Sequence, residues 1–213
     1  LPFSEDSRLL AMAATAYLLL RRRDEGLDCL NAVASDDLTE TADLADYGLA
    51  LFVAGRAEDA LAILEPLAGR SDAEAVVFAR LGAVYTTRNQ LVEAGDAFEK
   101  ALAREPDRAE FVSNLGGVKF RLGDYQEAVE LYDRALTLRS ELQETRAMRN
   151  RALLALDRAE ELIEEAQTGL DADPDQPDRH LHLAIAQIQA ERFAQAEATL
   201  DAAIDRFPDR DDL

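Results

Sequence analysis

Two histidines, His180 and His182, are the only imidazoles in the chain, and they stand two residues apart. On a helix that spacing points them in different directions, a poor arrangement for a shared metal ion. Both read as surface or groove polar residues. Glu160, Glu161, Glu164 and Glu165 could pair as acid and base, but at helical spacing they form a solvated face. Gly116 and Gly117 lack the Lys and Ser or Thr that a phosphate loop places after its glycines. No Gly-x-Ser-x-Gly elbow occurs. Cys29 is the single cysteine, so there is no disulfide framework and no metal-ligand spacing. These residue types imply no catalytic set, no metal site and no cofactor. What remains is the chemistry of recognition. Arg outnumbers Lys 21 to two, and a guanidinium binds a carboxylate through two parallel hydrogen bonds.

Net charge narrows the partners. At −20 the chain is unsuited to nucleic acid, whose phosphates need clustered Lys and Arg, and to anionic membrane surfaces. The preference for Arg over Lys fits a GC-rich bacterial genome. No stretch reaches the roughly 18 apolar residues of a membrane helix. The longest apolar run, 11–20, is broken by Thr15 and followed by Arg21, Arg22 and Arg23, whereas a signal peptide carries its charges before the apolar run. The chain begins with Leu1 rather than Met, so a processed protein or a piece of a longer one is expected. A cytoplasmic rather than a periplasmic setting is expected.

The elements that would position such groups are helices. Hydrophobic residues make up 48% of the chain, aromatics 6%, and Trp is absent. Ala and Leu dominate, both strong helix formers, and no alternating run of Val, Ile and Thr reads as a strand. A 34-residue period organises the whole. Phe78, Leu81, Gly82, Ala94, Phe98 and Ala101 recur 34 residues later as Val112, Leu115, Gly116, Ala128, Tyr132 and Ala135, and 34 earlier as Leu44, Tyr47, Gly48, Ala60, Leu64 and Leu67. Pro174 lies two such steps beyond Pro106, and Pro208 one step beyond Pro174. A period of this length marks an array of helical pairs, each too small to bury its apolar face alone.

Six units fit without insertion: 7–40, 41–74, 75–108, 109–142, 143–176 and 177–210. Each reads as helix A over about unit positions 2–14 and helix B over about 18–31. Gly55, Asn89, Gly123 and Asp157 break the turn between them, all at position 15. Small residues at positions 8 and 20, such as Gly82 with Ala94, let the two helices approach. Two places depart from the pattern. Pro66 lies inside the second helix B, which should kink or end early near Leu64. The fifth unit carries Arg146, Arg149 and Asn150 where its neighbours have apolar or small residues. A buried guanidinium needs a partner, and Asp133, Glu161 and Glu165 are the candidates for these.

This pattern resembles the tetratricopeptide repeat (TPR) family over nearly the whole chain. The third unit carries every residue class of the family pattern and the fourth nearly as many, with Lys119 in place of the usual aromatic. The resemblance implies an all-α fold, an α-solenoid of antiparallel helix pairs wound into a right-handed superhelix, with helix A lining the concave face. It also implies which positions face that groove. One row is Leu18, Phe52, Thr86, Phe120, Leu154 and Ile188. Arg80, Ser113, Asn114, Arg121, Met148 and Arg151 lie beside it. The expected binding site is Phe52, Arg80, Asn114, Phe120, Arg121, Met148 and Arg151, and its expected ligand an extended or helical protein segment with apolar anchors and an acidic group. The carboxylate clamp of chaperone-binding TPR modules is not carried over: Asn114 matches its middle position and the other four places fail.

A non-enzymatic scaffold or adaptor is therefore the expected function. One alternative is the recognition region of a larger sulfotransferase- or glycosyltransferase-like enzyme. Another is a structural protein that self-associates through its ends. Charge is also uneven along the chain, +3 over 134–151 and −8 over 157–178. That contrast would either pair within the stack or orient a partner.

Overall fold

A computed structural model describes residues 6–208. Its helices are α1 (Ser7–Leu19), α2 (Arg23–Asn31), α3 (Thr41–Val53), α4 (Ala57–Ala68), α5 (Ala75–Thr87), α6 (Leu91–Arg104), α7 (Ala109–Leu122), α8 (Tyr125–Leu138), α9 (Gln143–Ala155), α10 (Ala159–Ala172), α11 (Pro177–Gln189) and α12 (Phe193–Arg206). A single 3-10 turn, Ser35–Asp37, follows α2. Among the described residues there is no strand. The odd helices start at Ser7, Thr41, Ala75, Ala109, Gln143 and Pro177, the even ones at Arg23, Ala57, Leu91, Tyr125, Ala159 and Phe193. Both series step by 34 residues without drift.

The turn after each odd helix repeats atom for atom. Arg21, Gly55, Asn89, Gly123, Asp157 and Glu191 all have φ between 59° and 90°. The next amide then reaches back five residues: Arg22 to Tyr17, Arg56 to Leu51, Gln90 to Tyr85, Asp124 to Lys119, Arg158 to Leu153 and Arg192 to Gln187, at 2.7–3.0 Å. This is a Schellman-type stop, which satisfies a carbonyl the helix leaves open and reverses the chain. The four turn breakers legible in the sequence are joined by Arg21 and Glu191, residues with no intrinsic preference for this conformation.

Packing explains why the small positions recur. A Cβ on Gly48 would lie 2.8 Å from the Leu64 side chain, one on Gly82 2.7 Å from the Phe98 ring, and one on Gly116 2.9 Å from the Tyr132 ring. A large helix-B side chain thus occupies the space that each glycine vacates. Phe98, Tyr132 and Leu64 are almost fully buried as a result, and the apolar core runs along the array rather than around one centre.

Three local departures have physical causes. α2 stops at Asn31, short of the expected span. The Ser7 hydroxyl accepts the Ala34 amide at 3.1 Å and donates to Asp37 at 3.3 Å, which folds the chain back onto the start of α1. Of the kink or early end expected near Leu64, the end does not occur there: α4 passes through Pro66 to Ala68. Pro66 and Ala62, whose carbonyl loses its donor, both lie on the exposed side, where solvent can take over the missing bond.

In the fifth pair, Asn150 replaces the small residue and Ala166 replaces the large one facing it, so volume moves from one helix to the other. Arg149, with a side chain only 13% exposed, bridges Asp133 of α8 and Glu165 of α10. Burial works against its charge, yet those two carboxylates hold its pKa above the ordinary value. Arg146 stays exposed and donates to the Ser140 carbonyl at 2.9 Å, while Glu161 pairs with Arg158 instead. α9 leans on α8 and α10 on α11 more closely than α9 and α10 lean on each other.

Candidate functional site

Helices α3, α5, α7 and α9 stand side by side and enclose a groove of about 620 Å³. Each contributes because its open face points away from its partner helix. Phe52 comes from α3, Ala83, Thr86 and Thr87 from α5, Ser113, Asn114, Gly117 and Arg121 from α7, and Glu144, Thr145 and Met148 from α9. Phe52 and Met148 are apolar, half-buried walls. Asn114 is exposed between them with donor and acceptor available. Ser113 and Thr145 bond each other at 2.8 Å and tie α7 to α9.

The sequence-derived site divides. Phe52, Asn114, Arg121 and Met148 do meet in this groove. Phe120 does not line it: its ring stands edge-on to Tyr125, 5.2 Å between centroids, and packs against the α8–α9 core. Arg80 is turned into an ion pair with Asp46 at 2.5 Å, its side chain 15% exposed. Arg121 donates to the Thr86 carbonyl at 2.5 Å and to Asn89 Oδ1 at 2.9 Å. Arg151 is exposed, 3.6 Å from Met148 Sδ, and does not line the cavity. Of the three arginines expected to meet an acid, two already have protein acceptors.

Carboxylates take their place. Glu110, Glu141 and Glu144 all border the groove. Arg139 pairs with both Glu110 and Glu141, and Arg108 with Glu110. The pKa of Glu110 lies below the ordinary carboxylate range, through its own backbone amide and then Arg139. Glu144 is exposed and, among the described residues, meets no cation within ion-pair distance.

Sequence reasoning missed the floor. Tyr132 reaches the groove from α8, behind α7, and is 1% exposed. Among the described residues its hydroxyl has no hydrogen-bond partner. It lies beneath Gly117, where an added Cβ would be 3.8 Å away. Burial pushes its pKa up to about 12. The Gly116–Gly117 pair was the available signal: the first glycine admits the Tyr132 ring, and the second puts no side chain over its hydroxyl.

The histidines part company. His180 is buried, its Nε2 3.1 Å from the Pro174 carbonyl and its ring edge-on to Phe207, whereas His182 is exposed. His180 is thus a packing residue, not the surface or groove residue expected. Among the described residues no three His, Cys, Asp or Glu side chains converge as a metal site requires. No described helix is long and apolar enough to cross a membrane.

Two models of the tetratricopeptide repeat family match the chain, one over residues 81–142 and 118–180 and the other over 151–213. Together they span more than half of its length. The TPR repeat-containing thioredoxin TTL4 of Arabidopsis thaliana is 34% identical over 111 residues, covering 52% of this chain and 16% of that protein. The Protein STIP1 homolog of Dictyostelium discoideum is 27% identical over 112 residues, 53% of this chain and 20% of that one. The chain therefore spans a fifth or less of these curated relatives.

Solved structures with the same fold include three at low identity. MamA from Desulfovibrio magneticus RS-1 has 18% identity and a TM-score of 0.60, covering 81% of this chain and 98% of that one. YrrB, described as a TPR protein with an unusual peptide-binding site, has 24% identity and a TM-score of 0.59, covering 80% and 88%. Cut9, from the Cut9–Hcn1 assembly, has 16% identity and a TM-score of 0.66, covering 97% and 41%. At these identities the likeness concerns the fold.

Proposed function

Because the chain belongs to the tetratricopeptide repeat family, we propose that it is a non-enzymatic scaffold that holds a peptide or protein segment in the groove between α3, α5, α7 and α9. One observation carries this reading. Four successive inner helices place two apolar walls, Phe52 and Met148, on either side of an exposed amide, Asn114, in a groove of about 620 Å³. Concave sites with apolar walls and a few convergent polar groups are where ligands bind. We take the array as a single body of six units, 7–40, 41–74, 75–108, 109–142, 143–176 and 177–210.

A photo-crosslinking residue at position 114 tests the site. It should capture partner protein, while the same residue at position 164, outside the groove, should not. Capture from position 164 alone would move the site to the convex face.

A second reading is that this array is the recognition region of a larger protein, a sulfotransferase- or glycosyltransferase-like enzyme among the candidates. It is favoured by the small share of the curated relatives that the chain spans. The end of the array supports a related point. Ile188 and Ile204 are 46% and 47% exposed, while Leu154 and Leu170, one unit earlier, are half-buried. A second copy stacked end to end would cover them, and light scattering on this chain tests for it.

A further inference from the structure

We propose that the groove selects an extended peptide segment carrying a basic side chain, with one backbone carbonyl of that segment accepting a hydrogen bond from Tyr132. This rests on the groove reading above and names the chemistry of its ligand.

The first observation is the orphaned phenol. The Tyr132 hydroxyl is buried, unpartnered and part of the cavity floor. Buried hydroxyls without partners are rare, because an unmade bond costs most of the group's desolvation. Gly117 places no side chain between the hydroxyl and the cavity: an added Cβ would lie 3.8 Å from the hydroxyl. A neutral phenol donates one hydrogen bond, and peptide carbonyls are the acceptors an extended segment offers at every residue. Asn114, one helical turn before Gly117, can pair with the neighbouring peptide group.

The second observation is the sign of the field. Arg80 and Arg121, which should have met an acid, donate to Asp46, Thr86 and Asn89. Glu110 and Glu141 are paired to arginines outside the cavity lining, which leaves Glu144 as the exposed carboxylate on the groove without an ion pair among the described residues. The chain as a whole carries −20. A cationic side chain beside Glu144 is attracted by both, and an anionic one is repelled.

Fluorescence anisotropy with three labelled, blocked octapeptides tests this: alternating Leu–Lys, Leu–Glu and Leu–Ser. The Leu–Lys peptide should bind the intact protein most tightly at about 0.15 M salt. Tyr132→Phe keeps the ring, and its melting temperature should not fall. Gly117→Ala sets a methyl group over the hydroxyl at an ordinary contact distance. Each should weaken Leu–Lys binding by about fivefold, the worth of one hydrogen bond. Glu144→Gln should weaken it similarly, whereas Glu164→Gln on α10, outside the cavity, should change it less than about twofold, as exposed charges there are screened. Equal losses in Glu144→Gln and Glu164→Gln would assign binding to bulk charge and overturn the proposal. So would unchanged affinity in Tyr132→Phe. If Leu–Ser or Leu–Glu binds better and is lost in Asn114→Ala, the basic ligand is wrong while the groove reading stands. If no peptide binds and position 114 captures nothing, both fail.

Discussion

Gly82 and Gly117 both sit on inner helices, yet a methyl group would meet different surroundings at each. At Gly82 it would lie 2.7 Å from the Phe98 ring, which is itself 2% exposed and cannot retreat. Gly82→Ala should therefore destabilise the protein by about 1–3 kcal/mol, despite Ala being the better helix former. A urea titration of the two alanine variants checks this; an equal or greater loss in Gly117→Ala would contradict it. Glu191 makes the reverse case. It holds φ 59° in the last Schellman stop, where Gly55 and Gly123 hold theirs without a Cβ. Glu191→Gly should raise stability by about 1 kcal/mol. Titration belongs to this scale too. The ordinary tyrosine pKa is 10.0, and burial raises that of Tyr132 to about 12. Burial and the bond to Glu65 do the same for Tyr85. The unfolded chain then releases its phenol protons first, so stability is whole below pH 10 and falls between about pH 10 and 12. Thermal melts across that window should fall less steeply for Tyr132→Phe than for the unmodified chain.

Helices α9 and α10 are joined differently from the other pairs. The glycine-to-aromatic fit of α5–α6 and α7–α8 is absent. Arg149 instead holds α8, α9 and α10 through Asp133 and Glu165. Both carboxylates are about half exposed, so removing the guanidinium leaves them hydrated rather than stranded. Arg149→Leu should thus change stability by no more than about 1 kcal/mol in either direction, since partly exposed ion pairs contribute little. Arg149→Ala, which also loses the packed stem, should cost about 1–2 kcal/mol. Chemical denaturation of both variants decides it: a loss above about 3 kcal/mol for Arg149→Leu would mean the pair behaves as a buried one. Loose α9–α10 packing also predicts that amides there exchange faster than those of α5–α8, measured by hydrogen exchange.

Ion pairs step along the array at roughly the repeat spacing. Arg8 meets Asp43, Arg80 meets Asp46, Arg88 meets Glu58, Arg192 meets Glu160 and Arg206 meets Asp175. The stretch of −8 over 157–178 is thereby partly paired to flanking arginines within the stack. With 43 acidic residues against 23 basic ones, many carboxylates are still left to repel. Raising chloride from about 0.1 to 1 M shortens the screening length from about 10 to 3 Å. The melting temperature should rise between those salt concentrations, because repulsion at −20 outweighs weak exposed pairs. A fall would show that the ladder of pairs dominates.

The sequence by itself determined the helices and their order. Periodicity is a one-dimensional property, and in a solenoid each unit packs only on its neighbours, so local pattern and global fold carry the same information. The helix starts, four of the six turn residues and the partners of Arg149 were legible for that reason. The family resemblance put Phe52, Asn114, Arg121 and Met148 on the groove face, and the four line one cavity. Tertiary structure decided where long side chains went. Arg80 and Arg121 swing to acceptors about one unit away, Phe120 turns to Tyr125, and Tyr132 crosses behind α7 to the groove floor. A side chain that can reach several partners is placed by three-dimensional distance, and its own helix does not encode that distance.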